Sequence, residues 1–173
     1  MRERPLSVLW LQSGGCGGCT MSLLCAKSPD LPMLLETAGI RLLWHPSLSE
    51  ETGAEVVELF ERILSGAEPL DVLCVEGSLL RGPNGTGRFH VLAGTRRPTI
   101  DWARDLAAVA GTVVAVGTCA AFGGITAGGE NITEACGLRM RARSAAAPWV
   151  RSSAHGTACR WSTSRGARPI RTG

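Results

Sequence analysis

Leu9-Trp10-Leu11-Gln12-Ser13-Gly14-Gly15-Cys16-Gly17-Gly18-Cys19-Thr20-Met21-Ser22-Leu23-Leu24 is the stretch on which the fold turns. Residues 7–12 make a short apolar run with glycines close behind, the pattern of a buried strand. Residues 20–26 suit a helix with Thr20 as its cap. Between the two lies a Cys-X-X-Cys pair. Gly17 and Gly18 put no side chains between its sulfurs, so the backbone can wrap closely around whatever they hold.

Further strand and helix signals alternate along the chain, with no internal repeat. Residues 41–45, 70–75 and 112–116 read as further strands. Residues 55–64 form an amphipathic helix, with Val56, Val57, Phe60, Ile63 and Leu64 on one face and Ser65-Gly66 as its stop. Residues 99–110 form another, with Thr99 as cap and Trp102, Leu106 and Val109 inward. Strands alternating with helices predict an α/β fold, a doubly wound parallel sheet. Right-handed crossovers then gather the strand ends at one edge. Glu76 and Gly77 end the third strand, and Gly117-Thr118-Cys119 ends the fourth. Cys16, Cys19 and Cys119 are therefore expected around one crevice, where open α/β sheets bind ligands. Clustered thiolates select iron–sulfur or zinc.

A lone Cys-X-X-Cys serves equally as a thioredoxin-like dithiol, half of a zinc site, or two ligands of a cluster. A third thiol on another strand has no use in a dithiol but suits a four-thiolate cluster. Cys74, inside a strand, and Cys25, on the first helix, read as small packing residues. Glu76 closes a buried strand, so its carboxylate serves a site or is bound by nearby amides. His45 and His90 read as structural. The run Gly82-Pro83-Asn84-Gly85-Thr86-Gly87 lacks the Gly-Lys-Ser/Thr ending of a phosphate loop and reads as a surface turn. No nucleophile triad or paired-carboxylate motif stands out.

Length and charge narrow the classes. The 173 residues support one domain with a real core. Seven cysteines without a secretory signal point to a reducing compartment. Residues 106–124 are uncharged but broken by four glycines, which argues for buried core and against a membrane span. Residues 1–138 carry a net charge of −5 and residues 139–173 one of +8. That basic tail has no lysine and no aromatic interleaving, so no nucleic-acid partner is expected.

Residues 9–24 together with Val75-Glu76-Gly77-Ser78-Leu79-Leu80 and Val116-Gly117-Thr118-Cys119-Ala120 resemble the small subunit of [NiFe]-hydrogenases. The likeness is to the cytoplasmic, hydrogen-sensing (regulatory) branch. It extends to Gly85-Thr86-Gly87-Arg88-Phe89-His90 and Ile125-Thr126-Ala127, and covers residues 5–138. The resemblance implies a flavodoxin-like domain that holds the proximal [4Fe–4S] cluster. Cys16, Cys19 and Cys119 match three of its four cysteine ligands. It implies a separate large subunit whose nickel–iron site splits H2, and electrons passing between the two. Gly15, Glu76, Gly77, Arg88, Gly117 and Thr118 fall at the cluster surroundings or the subunit interface. Many relatives have an acidic residue where this chain has Met21, so no proton-transfer role is carried there. The absence of a twin-arginine leader agrees with the cytoplasm.

The likeness ends after Gly137-Leu138. The family continues to Val-Val-Asn-Val-Ala-Gly-Cys-Pro-Thr-His-Pro, whose cysteine is the fourth ligand. Codons chosen for Trp161-Ser162-Thr163-Ser164-Arg165-Gly166-Ala167-Arg168-Pro169-Ile170-Arg171, read from one base earlier, spell that same segment. Residues 139–173 are thus expected to be an out-of-frame tail, disordered or poorly packed, with the fourth cysteine ligand missing. The chain alone is expected not to turn over H2. Two alternatives stand beside this reading: a hydrogen-sensing subunit acting through a sensor kinase, and a thioredoxin-like or zinc-binding domain.

Overall fold

Along the first strand, alternate side chains enter two different cores, and this sets the architecture. The structure is a computed structural model that describes residues 4–140 and 158–161. Strand β1 (Leu6–Gln12) sends Leu9 and Leu11 into the larger core and Val8 and Trp10 into the smaller one. A strand with both faces covered is apolar throughout, which is why residues 8–11 show no alternation. Between β1 and β2 (Ile40–Trp44) come helices α1 (Gly18–Leu24) and α2 (Leu31–Thr37). Helix α3 (Ala54–Ser65) leads to β3 (Val72–Glu76), then the short β4 (Leu79–Leu80). Helix α4 (Thr99–Val109), β5 (Thr112–Val116), α5 (Gly117–Phe122) and a 3-10 turn (Gly124–Ala127) follow. β6 (Ala135–Met140) and β7 (Ala158–Trp161) complete the described elements.

The main sheet runs β2-β1-β3-β5, every pair parallel. This is the flavodoxin-like order expected of a doubly wound sheet. Its direction of winding reverses between β1 and β3, so the crevice lies at their carboxyl ends. Helices α3 and α4 supply Val56, Phe60, Ile63, Trp102, Ala103 and Leu106 to the larger core. Phe60 is the hub, with edge-to-face contacts to Trp44 at 5.9 Å and Trp102 at 5.5 Å. Helix α1 places Leu23 against the opposite face, beside Val8, Trp10 and Cys74. Among the described residues β5 pairs on one side only and closes that edge of the sheet.

Several local expectations are corrected. Helix α1 begins at Gly18 with Gly17 as its cap, at φ +72, rather than with Thr20. Glycine can hold that left-handed conformation, and it leaves the Thr20 hydroxyl free for a distant partner. Helix α4 is capped by Pro98, and Thr99 is its first helical residue. Val109 is 43% exposed and faces outward. Cys25, expected to pack, is exposed because it lies one residue past the end of α1. Cys74 is buried within β3, as read. Cys136, left open by the sequence, is buried and disulfide-bonded.

The boundary placed at residue 138 falls inside a strand. β6 runs on to Met140, antiparallel to β4 through Leu79↔Cys136. Of the tail expected to lack order, Ala158–Trp161 pairs in parallel with β6, an edge that can recruit an extended segment. The rest of that tail lies outside the described residues.

Candidate functional site

Three segments meet at the carboxyl edge of the main sheet: the loops after β1 and β3, and the start of α5 directly after β5. The first two are interlocked through their backbones. Gly14 and Ser78 exchange both amide–carbonyl bonds, at 2.9 and 2.7 Å, and the Ser13 amide donates to the Glu76 carbonyl at 2.8 Å. Gly77, at φ +83, permits this weld, since a Cβ there would lie 2.9 Å from the carbonyl carbons of Ser13 and Gly14. A Cβ on Gly15 would come within 3.0 Å of the Gly77 Cα. The two glycines named from the sequence therefore face each other.

The sulfurs sit in hollows made by other glycines. A Cβ on Gly117 would stand 2.4 Å from the Cys19 Sγ, so the thiol of the first segment rests on the backbone of the third. One on Gly124 would stand 2.4 Å from the Cys119 Sγ, and one on Gly18 would stand 3.1 Å from the Cys16 Sγ. Cys16 is exposed, while Cys19 and Cys119 are half-buried. Burial pushes the Cys19 thiol above its ordinary pKa, and negative charge on Glu76, Cys16 and Cys119 adds to the rise. The three thiols thus share one electrostatic neighbourhood. A cation placed among them reverses that penalty by stabilising the thiolates. Among the described residues no three His, Cys, Asp or Glu side chains close around a point as a single ion requires. An iron–sulfur cube spreads its thiolates wider than one ion does, and sulfur hollows supplied by separate segments fit such a group.

Glu76 organises the turn that carries Cys19. It is 2% exposed. Its Oε1 accepts the backbone amides of Cys19 and Thr20, each at 3.1 Å. Its Oε2 accepts the Trp10 indole N–H at 2.9 Å and a short bond from the Thr20 hydroxyl. Burial pushes the carboxyl pKa up, but these four donors outweigh it and hold the group below its usual value. The reading of Glu76 as an acceptor of nearby amides is the one the geometry supports.

His45 extends the web. The Ser47 amide donates to its Nδ1 at 3.1 Å, so Nε2 carries the proton and donates to the Thr20 hydroxyl at 3.3 Å. Burial lowers the His45 pKa, against an opposing pull from Glu76. His90 also plays a structural part, with Nδ1 3.2 Å from the Ser13 hydroxyl. Sequence reasoning missed Thr20 as a hydroxyl donor. Its position beside Cys19 was the available signal.

Two named residues are not drawn into this constellation. Arg88 lines a shallow cleft of about 440 Å³ with Val91, Thr95 and Arg96, and none of the cysteines lines it. Thr118 is exposed.

Comparison with known proteins gives this geometry its class. Residues 16–156 match the family described as NADH ubiquinone oxidoreductase, 20 Kd subunit. The small chain of hydrogenase-2 from Escherichia coli (strain K12) is 37% identical over 138 residues, which is 79% of this chain and 35% of that one. The small subunit of F420 non-reducing hydrogenase II from Methanosarcina mazei is 35% identical over 72% of this chain and 34% of its own. A reduced, active form of the Ni-Fe-Se hydrogenase from Desulfomicrobium baculatum superposes with a TM-score of 0.68 at 31% identity, covering 78% of this chain and 50% of that one. The chain therefore belongs to the family that includes the small subunits of nickel–iron hydrogenases. It spans about a third of the length of these curated relatives.

Proposed function

We propose that this chain is the electron-transfer region of a [NiFe]-hydrogenase small subunit, holding a proximal [4Fe–4S] cluster on Cys16, Cys19 and Cys119. The observation that carries the reading is the seating of the Cys19 sulfur against Gly117, which joins the segments after β1 and β5. When bound, the cluster supplies one-electron transfer between a nickel–iron centre in a partner large subunit and further acceptors. The chain's own residues prepare its seat. Gly18, Gly117 and Gly124 clear space for the sulfurs, and Glu76 fixes the Cys19 amide through a buried, fully engaged carboxylate. The exposed rim of Gly15, Gly117 and Thr118 faces the large subunit, with Gly77 buried behind Gly15.

The assembly is placed in the cytoplasm on the reading of a seven-cysteine sequence as one made for a reducing compartment. Its finer place is the hydrogen-sensing branch. Residues 139–173 are read as out of frame, which removes the fourth thiolate and leaves any cluster labile. Resequencing the locus tests this, since an intact frame with no family-like continuation one base away overturns it. The thioredoxin-like and zinc readings are not favoured by the family match.

Anaerobic reconstitution of the full chain with iron and sulfide tests the cluster. Cys16→Ser, Cys19→Ser and Cys119→Ser should each reduce retained iron and the visible absorption, while Cys25→Ser leaves both unchanged. Retention unaffected by Cys119→Ser overturns the assignment. Hydrogen-dependent dye reduction should appear only with a large subunit present.

A further inference from the structure

Cys119 lies in α5, directly after β5, and a pair of hydroxyls links the turn that follows this helix to the segment after β3. Ser78 is fully buried in the loop after β3, which is welded to the Cys16/Cys19 loop through Gly14. Its Oγ lies 2.5 Å from the Thr126 Oγ1 and 2.9 Å from the Gly14 carbonyl oxygen. Each hydroxyl has one proton to give. The Gly14 carbonyl also receives the Ser78 amide at 2.7 Å, and the Thr126 hydroxyl lies 2.8 Å from the Gly123 carbonyl oxygen. Two protons serve three contacts, so at 2.5 Å the Ser78–Thr126 bond is made by whichever hydroxyl donates, and it links the Gly14 end to the Gly123 end. Gly123 itself caps α5, its amide bonded to the Cys119 carbonyl at 2.9 Å. Among the described residues this is the one side-chain hydrogen bond from the Cys119 segment to the loops after β1 and β3.

We propose that Ser78 and Thr126 are positioning residues: their hydroxyl pair sets how far the Cys119 thiol stands from the thiol of Cys19. The proposal rests on the reading of these thiols as a cluster site, and it assigns to the brace the spacing on which that site depends. Neither side chain touches a sulfur, so the effect passes through the loop backbones. A buried hydroxyl bonded to another is specific in a way that apolar packing is not, because losing either partner leaves the other unpaired.

The test measures spacing in the metal-free full chain, in a Cys16→Ser background and without oxygen. Dibromobimane links neighbouring thiols, and peptide mapping reports the yield of the Cys19–Cys119 product. Ser78→Ala and Thr126→Val should each lower that yield about threefold, the scale of one hydrogen bond. The double variant should be no worse than either single one, and Thr126→Ser should restore the parent yield. Iron retained after reconstitution, with Cys16 present, should follow the same ranking. Equal yields in the parent and both single variants overturn the proposal, as does a loss in Thr126→Ser equal to that in Thr126→Val. If Ser78→Ala fails to fold, the two variants at half-buried Thr126 decide alone. If the yields rank as stated while even the parent holds no iron, the brace stands and the cluster reading falls.

Discussion

The sulfur of Cys19 lies where a side chain on Gly117 would begin, 2.4 Å from the position of its missing Cβ. The two residues belong to segments that follow strands separated in the sheet by β3. Their contact brings the Cys-X-X-Cys turn and the Cys119 turn to one site.

Gly117→Ala should therefore damage the site more than the fold. The new methyl group collides with the Cys19 sulfur, and the backbone at φ +80 costs a side chain about 1–2 kcal/mol. Iron retained after reconstitution should fall several-fold while the far-ultraviolet circular dichroism spectrum stays that of the parent. Full iron loading in this variant would show that the sulfur does not need the hollow.

Glu76→Gln should destabilise the chain by about 3 kcal/mol, measured by urea unfolding, because charge-assisted bonds are lost and an amide group meets donors. Trp10, Cys19 and Thr20 all donate to this one carboxylate, so the loss is shared by β1 and the start of α1. Trp10→Phe, which removes a single donor, should cost about 1 kcal/mol. Equal effects of the two substitutions would argue against Glu76 as the hub.

Stability should fall as pH drops below about 6.5, the ordinary histidine value, through His45. Its folded-state pKa is lowered, so the unfolded chain takes up the proton first. The contribution is present above the unfolded value and is lost as pH falls toward the folded one. Urea midpoints between pH 7.5 and 5 should show a shallower slope in His45→Gln. His90, which burial also lowers, adds to the slope that remains. An unchanged slope in the double variant would remove both histidines from the account.

Phe60→Ala tests whether the larger core carries the sheet. Phe60 is fully buried between Trp44 and Trp102, and truncation of such a residue costs about 3–5 kcal/mol. A loss below about 1 kcal/mol would mean that the two tryptophans close the gap.

The elements legible in the sequence were those fixed by their own composition. β1, β3 and β5 are apolar runs ended by glycine or Glu76-Gly77, and α3 shows its buried stripe of Val56, Phe60 and Ile63 directly. What escaped was set by distant partners or by weak local pattern. Thr20 looked like a cap, but its hydroxyl is claimed by Glu76 from 56 residues away. Helix α2 has no apolar periodicity to reveal it, since none of its residues is buried, although Asp30 caps it through the Met33 amide and proline stands in its first turn. Helix α5 hides between Gly117 and Gly123 with six residues. The three cysteines of the candidate site were legible because each follows a strand end. The brace of Ser78 and Thr126 was not, since neither residue type is unusual in a loop.

β5 is the strand with most at stake for handling the isolated chain. Its outer row of amides and carbonyls has no partner among the described residues, and Val114 there is 40% exposed. An unprotected, β-branched border of this kind is a template on which further polypeptide can assemble. Concentrated preparations should turn cloudy by strand-on-strand growth along that border, and a lysine in place of Val114 should keep them clear.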